Sequence, residues 1–185
     1  SDSPDHYVNK ALSIAATTPN SFILDQYNNP LNIEAHYHFT AKEILNQTHH
    51  EVDYIVGCAS TGGTMSGIGS YIKAHLPSTQ IIIADSQASI FKAEFNGNQP
   101  NPEVIKPTII EGAGKSYLPG CMKMQYIDDI ITVTDEQVID TLYRAARQEG
   151  LCLGLSASLA LFVSLALIEK EEFSRPTTVV TVLAD

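Results

Sequence analysis

A short run of small residues, between an apolar strand and a helix, constrains the fold of this chain most. The residues are Ser60, Thr61, Gly62, Gly63 and Thr64. Residues 53–56 before them are apolar and partly β-branched, which predicts a buried strand. After them, apolar side chains recur at helical spacing up to Leu76. The sequence therefore predicts a strand, a tight loop and the N-terminus of a helix.

Such a loop has the chemistry of an anion site. The first N–H groups of a helix have no partner within it, and the helix dipole is positive at that end. Thr61 and Thr64 add hydroxyl donors, and glycine lets an anion approach the backbone closely. A phosphate is the natural ligand, because its several oxygens accept from a ring of donors. The alternative, that Gly and Thr only form a turn and cap the helix, stays open on these residues.

Composition limits the partners. With 185 residues, 44% of them hydrophobic, the chain is long enough for one domain with a real core. Eleven basic and 21 acidic residues give a net charge of −10, which argues against nucleic acid or an anionic membrane surface as partner. Three widely spaced cysteines suggest neither a disulfide framework nor a zinc site, and fit a reducing cytoplasm. The first residues lack the basic and apolar regions of a secretory leader, and no apolar run reaches the roughly 20 residues that a membrane span needs, so we expect neither a leader nor a membrane span.

Helical and strand patterns alternate along the chain, which predicts an α/β fold with a parallel sheet. Helices are predicted at residues 7–16, from about Thr40, at 134–150 and at 159–168, and strands at 21–24, 80–85, 128–133 and 177–183. For the second helix, Thr40 and Glu43 have capping-box spacing. The last strand has the composition of a buried parallel strand, and residues 95–106 are typical of an exposed loop.

A second glycine-containing segment interrupts an apolar run at Gly112, Ala113 and Gly114. Glycines at such a break indicate a backbone that comes close to a ligand or to another segment. An ordinary turn explains the same residues.

Other candidate sites are better explained structurally. His36 and His38 lack an acidic or cysteine partner for a metal, so we predict a surface or packing role and no metal site. Cys58, beside the glycine loop, is interpreted as a small buried apolar residue rather than a reactive thiol. Asp128 and Asp129 are neighbours on a strand, so they face opposite sides and cannot converge on one substrate.

Seven motifs, in this order, resemble the cysteine synthase and cystathionine β-synthase family of fold-type II pyridoxal phosphate enzymes. The motifs lie at residues 25–32, 35–37, 40–45, 61–64, 84–90, 110–114 and 149–151. The Asp-Gln-Tyr, Ala-His-Tyr and Ala-Ser-Ile stretches are closer to the cystathionine β-synthase branch. The resemblance implies a three-layer αβα arrangement with a mostly parallel twisted sheet. We expect residues 1–185 to form one α/β unit, the C-terminal part of a longer catalytic domain.

The resemblance also implies roles for particular residues. Ser60, Thr61, Gly62, Gly63, Thr64 and Gly112 would bind the pyridoxal 5′-phosphate cofactor. Gln26, Gly112, Ala113 and Gly114 would contact the substrate. None of the eight lysines lies in the context of the family's aldimine lysine, so we expect that residue upstream and no catalytic residue within these 185. Leu155 and Ser158 replace family glycines, and Leu155 would crowd the cofactor if it pointed inward.

The activity implied is a β-replacement on an activated serine-type amino acid with a thiol or sulfide, carried out by a cytoplasmic homodimer. In the full-length protein this chain would supply the phosphate loop and be inactive alone. An alternative is a degenerate, non-catalytic structural or regulatory module of the same family, for which the changes at Leu155 and Ser158 are the motivation.

Overall fold

Helices and parallel strands alternate along this chain, as its hydrophobic pattern predicts. A computed structural model describes residues 6–100, 106–170, 173 and 175–184. The α-helices are α1 (Tyr7–Thr17), α2 (Leu31–Ala35), α3 (Ala41–Gln47), α4 (Gly63–His75), α5 (Phe91–Phe95), α6 (Asp135–Glu149) and α7 (Leu155–Lys170). A π-helical turn covers His36–Thr40 and a 3₁₀ turn covers Met124–Tyr126. The strands are β1 (Tyr54–Cys58), β2 (Gln80–Ser86), β3 (Asp129–Val133) and β4 (Val179–Val182).

The four strands form one parallel sheet in the order β3-β2-β1-β4. The carboxyl ends of β1 and β2 lie side by side at the same end of the sheet, since Cys58 is in register with Ala84. We call this end the carboxyl edge. The loops that follow these two strands therefore emerge side by side. In parallel α/β sheets this edge is where ligands bind.

Successive side chains along each strand point to opposite faces of the sheet. A separate hydrophobic core packs against each face. On one face Ile55, Ile81 and Ile83 pack with buried side chains of α3, α4 and α5. On the other, Val56 and Ile82 pack with buried side chains of α6 and α7. Helices on both faces of a parallel sheet confirm the predicted three-layer αβα class.

The helix predicted at residues 134–150 is present with the ends that its sequence indicates. Thr134 and Gln137 form a capping box, in which each side chain bonds the other residue's backbone N–H. Gly150 ends the helix in the left-handed conformation at φ 69°. The local sequence alone determines both ends of this helix.

The strand predicted at residues 21–24 is wrong. These residues have no regular secondary structure, the described part of the chain provides no neighbouring strand for them, and Phe22 is 80% exposed. A β-strand needs a partner for its N–H and C=O groups, and an apolar pattern alone does not supply one.

The helix predicted from about Thr40 begins earlier, so the capping box at Thr40 is also wrong. Helical backbone runs from Leu31 without a break, through the π-helical turn and into α3. The Asn29 side-chain oxygen accepts from the Leu31 N–H at 3.0 Å and starts this stretch. Thr40 is therefore inside the helix, where its hydroxyl meets the His36 ring instead of capping.

Three other elements differ in detail from prediction. β4 forms as expected but is only half-buried, because within the described residues it lies at the edge of the sheet. α7 begins at Leu155, four residues earlier than the apolar run suggests. The predicted loop at 95–106 is seen at residues 96–100, and residues 101–105 lie outside the described part. In that part no helix has the length and apolar character that crossing a membrane requires.

Candidate active site

A pocket of about 140 Å³ opens at the carboxyl edge of the sheet, where β1 runs into α4. Its lining comprises Cys58, Ala59, Ser60, Thr61, Gly62, Thr64, Met65, Gly112, Ser156 and Ala184. Five of the six predicted cofactor-binding residues are among them, and the sixth, Gly63, is the first residue of α4. None of the lining residues carries a charge. An anion bound here would be held by dipoles and hydrogen-bond donors.

The glycine loop leaves backbone donors free at the start of α4. The Gly63 N–H donates to the Thr61 hydroxyl at 3.3 Å, and the Ser66 N–H donates to the Gly62 carbonyl at 2.9 Å. Among the described residues, we find no acceptor for the N–H groups of Gly62 and Thr64. Unpaired donors at the positive end of a 13-residue helix are what a phosphate requires, so the donor set fits that group.

The two loop glycines are required by packing against protein. Gly62 has φ +87°, and a Cβ on it would lie 2.5 Å from the Met122 Cα. A Cβ on Gly63 would overlap the Asn32 side chain. The glycines therefore let the loop pack against these neighbours, and the donors that the loop offers are its N–H groups and hydroxyls. The sequence interpretation gave these glycines a different reason, the close approach of an anion to the backbone.

The Thr61 hydroxyl accepts two hydrogen bonds from the protein, which leaves its proton free to donate. Its oxygen accepts from the Asn32 side-chain amide at 3.2 Å and from the Gly63 N–H at 3.3 Å. These two bonds use both lone pairs, so the hydroxyl proton is free to donate elsewhere. Asn32 also donates to the Gln26 carbonyl at 2.8 Å and so ties two loops together. No local sequence pattern indicates this contact, because Asn32 and its partner Thr61 are 29 residues apart.

The Gly112–Gly114 segment lies beside the loop and joins the ends of β1 and β2. The Gly114 N–H donates to the Ala59 carbonyl at 2.7 Å, and the Ala113 carbonyl accepts from the Ser86 hydroxyl at 3.3 Å. Gly114 has φ +76°, a conformation that favours glycine. The close approach predicted from these glycines is therefore an approach to other segments, and Gly112 also faces the pocket.

Gln26 lies in an exposed turn and does not line the pocket. Its backbone is connected to the glycine loop through Asn32. Of the four residues predicted to contact substrate, only Gly112 lines the pocket in the described structure.

Cys58 is half-buried and lines the pocket, so it is more exposed than the structural interpretation predicts. Burial raises the pKa of its thiol to about 12, and the nearby Asp85 acts in the same direction. The sulfur donates to the Ser156 carbonyl at 2.9 Å. A thiol held protonated in this way is a poor nucleophile at neutral pH.

Asp85, at the end of β2, is a fully buried carboxyl group that sequence reasoning assigned no role. Neither oxygen has a hydrogen-bond partner among the described residues. Burial raises its pKa to about 7, although the Ser89 hydroxyl, outside hydrogen-bond geometry, acts in the opposite direction. Asp85 is therefore protonated in a large fraction of molecules near neutral pH.

Leu155 and Ser158, the two departures from the family pattern, both lie away from the pocket lining. Leu155 packs against the core on the α7 side of the sheet. The Ser158 hydroxyl is buried and donates to the Gly154 carbonyl at 2.9 Å. The residue of this turn that does line the pocket is Ser156, whose hydroxyl donates to the Ala184 carbonyl at 2.7 Å.

The two adjacent aspartates at the start of β3 pair with different cations, one on α4 and one on α5. Asp128 pairs with Lys73 and Asp129 with Lys92, both at 2.6 Å. They do not converge on a common site. Within the described ranges, no group of three or more His, Cys, Asp or Glu side chains is arranged to hold a metal ion.

The fold and the pocket define an α/β protein with unpaired backbone donors at the start of a helix, and comparison with known proteins gives the family. The model of the family described as "Pyridoxal-phosphate dependent enzyme" matches residues 1–185. The chain belongs to this family, whose members use pyridoxal phosphate.

Relatives from two branches of the family are similar along almost the whole chain. Cystathionine beta-synthase of Dictyostelium discoideum is 34% identical over 184 residues, covering 100% of this chain and 36% of that protein. Cysteine synthase A of Escherichia coli K12 is 30% identical over 177 residues, covering 94% and 54%. A crystal structure of O-acetylserine dependent cystathionine beta-synthase from Helicobacter pylori superposes with a TM-score of 0.80 at 28% identity, covering 96% of this chain and 56% of that one. The chain thus spans between about a third and just over half of the length of these relatives.

Proposed function

We propose that residues 1–185 are the C-terminal part of the catalytic domain of a pyridoxal phosphate-dependent enzyme of sulfur amino-acid synthesis. The reaction is a β-replacement on an activated serine-type amino acid with a thiol or sulfide. This chain supplies the cradle for the cofactor phosphate, formed by Ser60, Thr61, Gly62, Gly63 and Thr64 with Gly112. The observation that carries the proposal is the pocket at the N-terminus of α4, with two unpaired N–H groups.

The cradle is suited to a dianion because its donors are neutral and fixed. The Thr61 oxygen already accepts from Asn32 and Gly63, which directs its proton away from them. The loop backbone is held by the packing of Gly62 on Met122, so the donors do not have to reorganise when the anion binds. A phosphate held by several such donors is fixed in position and orientation.

When bound, the cofactor supplies an electron sink that makes the α-proton of an amino acid acidic. The residues of this chain position that group. The cradle anchors its phosphate, and Gly112 lets the backbone of the neighbouring loop approach it. We propose that Gln26, Gly112, Ala113 and Gly114 face the amino-acid substrate, and that the lysine that carries the cofactor lies upstream.

Loss of either threonine hydroxyl is expected to weaken cofactor retention in the full-length protein. Thr61→Val and Thr64→Val each remove one donor to a charged phosphate at nearly constant side-chain volume, which is expected to lower cofactor affinity roughly ten-fold. Equilibrium dialysis with phosphorus analysis measures the affinity. Ser70→Ala is the matched control, since it removes a hydroxyl from the same helix that bonds only the Gly67 carbonyl. Unchanged affinity in both threonine variants would count against the cradle.

A degenerate, non-catalytic module of the same family is the second hypothesis. This hypothesis was motivated by Leu155 and Ser158, which replace family glycines and would reduce the space for the cofactor. In the structure, however, neither residue lines the pocket. This favours the enzyme. Sequencing the open reading frame upstream of Ser1 separates the two, because a lysine in a family-like context supports the enzyme and its absence supports the module. We further propose, from the resemblance, that the enzyme is a cytoplasmic homodimer.

A further inference from the structure

His36 connects two threonine hydroxyls, of which that of Thr64 belongs to the pocket lining. It lies in the π-helical turn, with Nδ1 at 2.9 Å from the Thr40 hydroxyl and Nε2 at 3.0 Å from the Thr64 hydroxyl. Close packing with α4 fixes this position, since a Cβ on Gly67 would lie 2.6 Å from the His36 Cβ. Thr64 itself lines the pocket. One side chain thus joins the interior of a helical segment to a proposed phosphate donor.

The direction of the two bonds decides what Thr64 offers to the pocket. Burial lowers the pKa of His36, so the neutral ring is favoured, with one nitrogen donating and the other accepting. If Nε2 accepts, the Thr64 proton points to His36 and a lone pair faces the pocket. If Nε2 donates, the Thr64 oxygen is occupied as an acceptor and its proton is free. Only the second arrangement adds a donor for an anion.

We propose that His36 is a positioning residue that orients the Thr64 hydroxyl as a donor toward the cofactor phosphate. Its Nε2–H donates to the Thr64 oxygen, and the Thr40 hydroxyl donates to Nδ1, which fixes the tautomer. The inference rests on the proposed phosphate cradle and adds to it a residue outside the pocket lining. Sequence reasoning gave His36 a packing or surface role, and the structure adds these two hydrogen bonds.

The tautomer is tested in the unmodified full-length protein loaded with cofactor. Long-range ¹H–¹⁵N correlation spectra of histidine-labelled protein distinguish a protonated Nε2 from a protonated Nδ1, and His36 is assigned by its absence from the spectrum of His36→Phe. We expect a protonated Nε2 and an unprotonated Nδ1. A protonated Nδ1 with an unprotonated Nε2 in the loaded protein would overturn the proposal. The tautomer is read in the parent protein, and His36→Phe serves only to assign the signal.

The contribution to binding is tested by cofactor affinity in three variants. His36→Phe keeps a flat ring but no donor, and is expected to lower affinity about five-fold, the effect of one hydrogen bond. His36→Gln restores a donor that reaches Thr64, and is expected to return affinity to within about two-fold of the parent. His38→Gln, two residues away and exposed, is the control and is expected to have no effect.

Thr64→Val separates this proposal from the cradle itself. If Thr64→Val loses affinity and His36→Phe does not, the role of His36 is overturned while the cradle stands. If neither variant loses affinity, Thr64 is not a phosphate donor and the role of His36 fails; if Thr61→Val also keeps its affinity, the cradle fails with it. If His36→Gln is as weak as His36→Phe, the ring acts through packing and the proposal is also overturned.

Discussion

Replacing Gly62 with alanine in the full-length protein is expected to destabilise it by roughly 3 kcal/mol and to abolish tight cofactor binding. Two costs add at this position. The residue has φ +87°, which disfavours a side chain, and the new Cβ would lie 2.5 Å from the Met122 Cα, a backbone atom that cannot simply rotate away. Relief of that overlap requires the loop to move, and the loop carries the unpaired N–H groups. Urea unfolding and cofactor affinity measure the two effects.

Gly150→Ala is the matched control for this prediction. Gly150 has φ +69°, but a Cβ there would meet nothing within 4 Å, so only the backbone cost of about 1 kcal/mol applies. The difference between the two variants isolates the packing of the loop on Met122. If Gly62→Ala is as mild as Gly150→Ala, the rigid loop described above is incorrect.

Replacing Asp85 with asparagine is expected to stabilise the protein increasingly as pH rises. The folded-state pKa of Asp85 is about 7, above the ordinary value of 3.8. Between these two pH values the Asp85 carboxyl is protonated in the folded state and ionised in the unfolded state. The contribution of Asp85 to the free energy of unfolding is therefore full at low pH. It decreases as pH rises above 3.8 and is lost once pH has passed the folded-state pKa of about 7. Between pH 5 and 8 the advantage of the variant over the parent should grow by on the order of 2 kcal/mol.

Urea denaturation at several pH values between 5 and 8 measures this advantage. Asp140→Asn, at an exposed position of α6, is the matched control, and its stability curve should run parallel to that of the parent. A constant difference between Asp85→Asn and the parent across this range would mean that Asp85 is ionised in the folded protein, with partners that satisfy it.

The sequence determines the strand-loop-helix unit and the ends of α6 because each depends on neighbouring residues. An apolar strand, a run of small residues and a helical period specify β1, the glycine loop and α4. The capping box of Thr134 and Gln137 and the terminal Gly150 similarly lie within one continuous segment. The two parts of the pocket, the loop and Gly112, were found separately, and only the fold brings them together.

The remaining features depend on contacts between distant parts of the chain. Asn32 and His36 meet Thr61 and Thr64 from 29 and 28 residues away, which no local pattern shows. The apolar pattern of residues 21–24 predicted a strand, but whether a strand forms depends on a partner. Thr40 has capping-box spacing to Glu43, but the helix starts earlier in the chain. The Thr40 hydroxyl therefore bonds the His36 ring and does not cap a helix.

A crystal structure of the full-length protein with its cofactor tests the central claim most directly. We predict that the phosphate oxygens lie about 2.7–3.1 Å from the backbone nitrogens of Gly62 and Thr64 and from the hydroxyls of Thr61 and Thr64. Gly112 should border the same ligand. A phosphate bound elsewhere, with the N–H groups of this loop directed at solvent, would contradict the account.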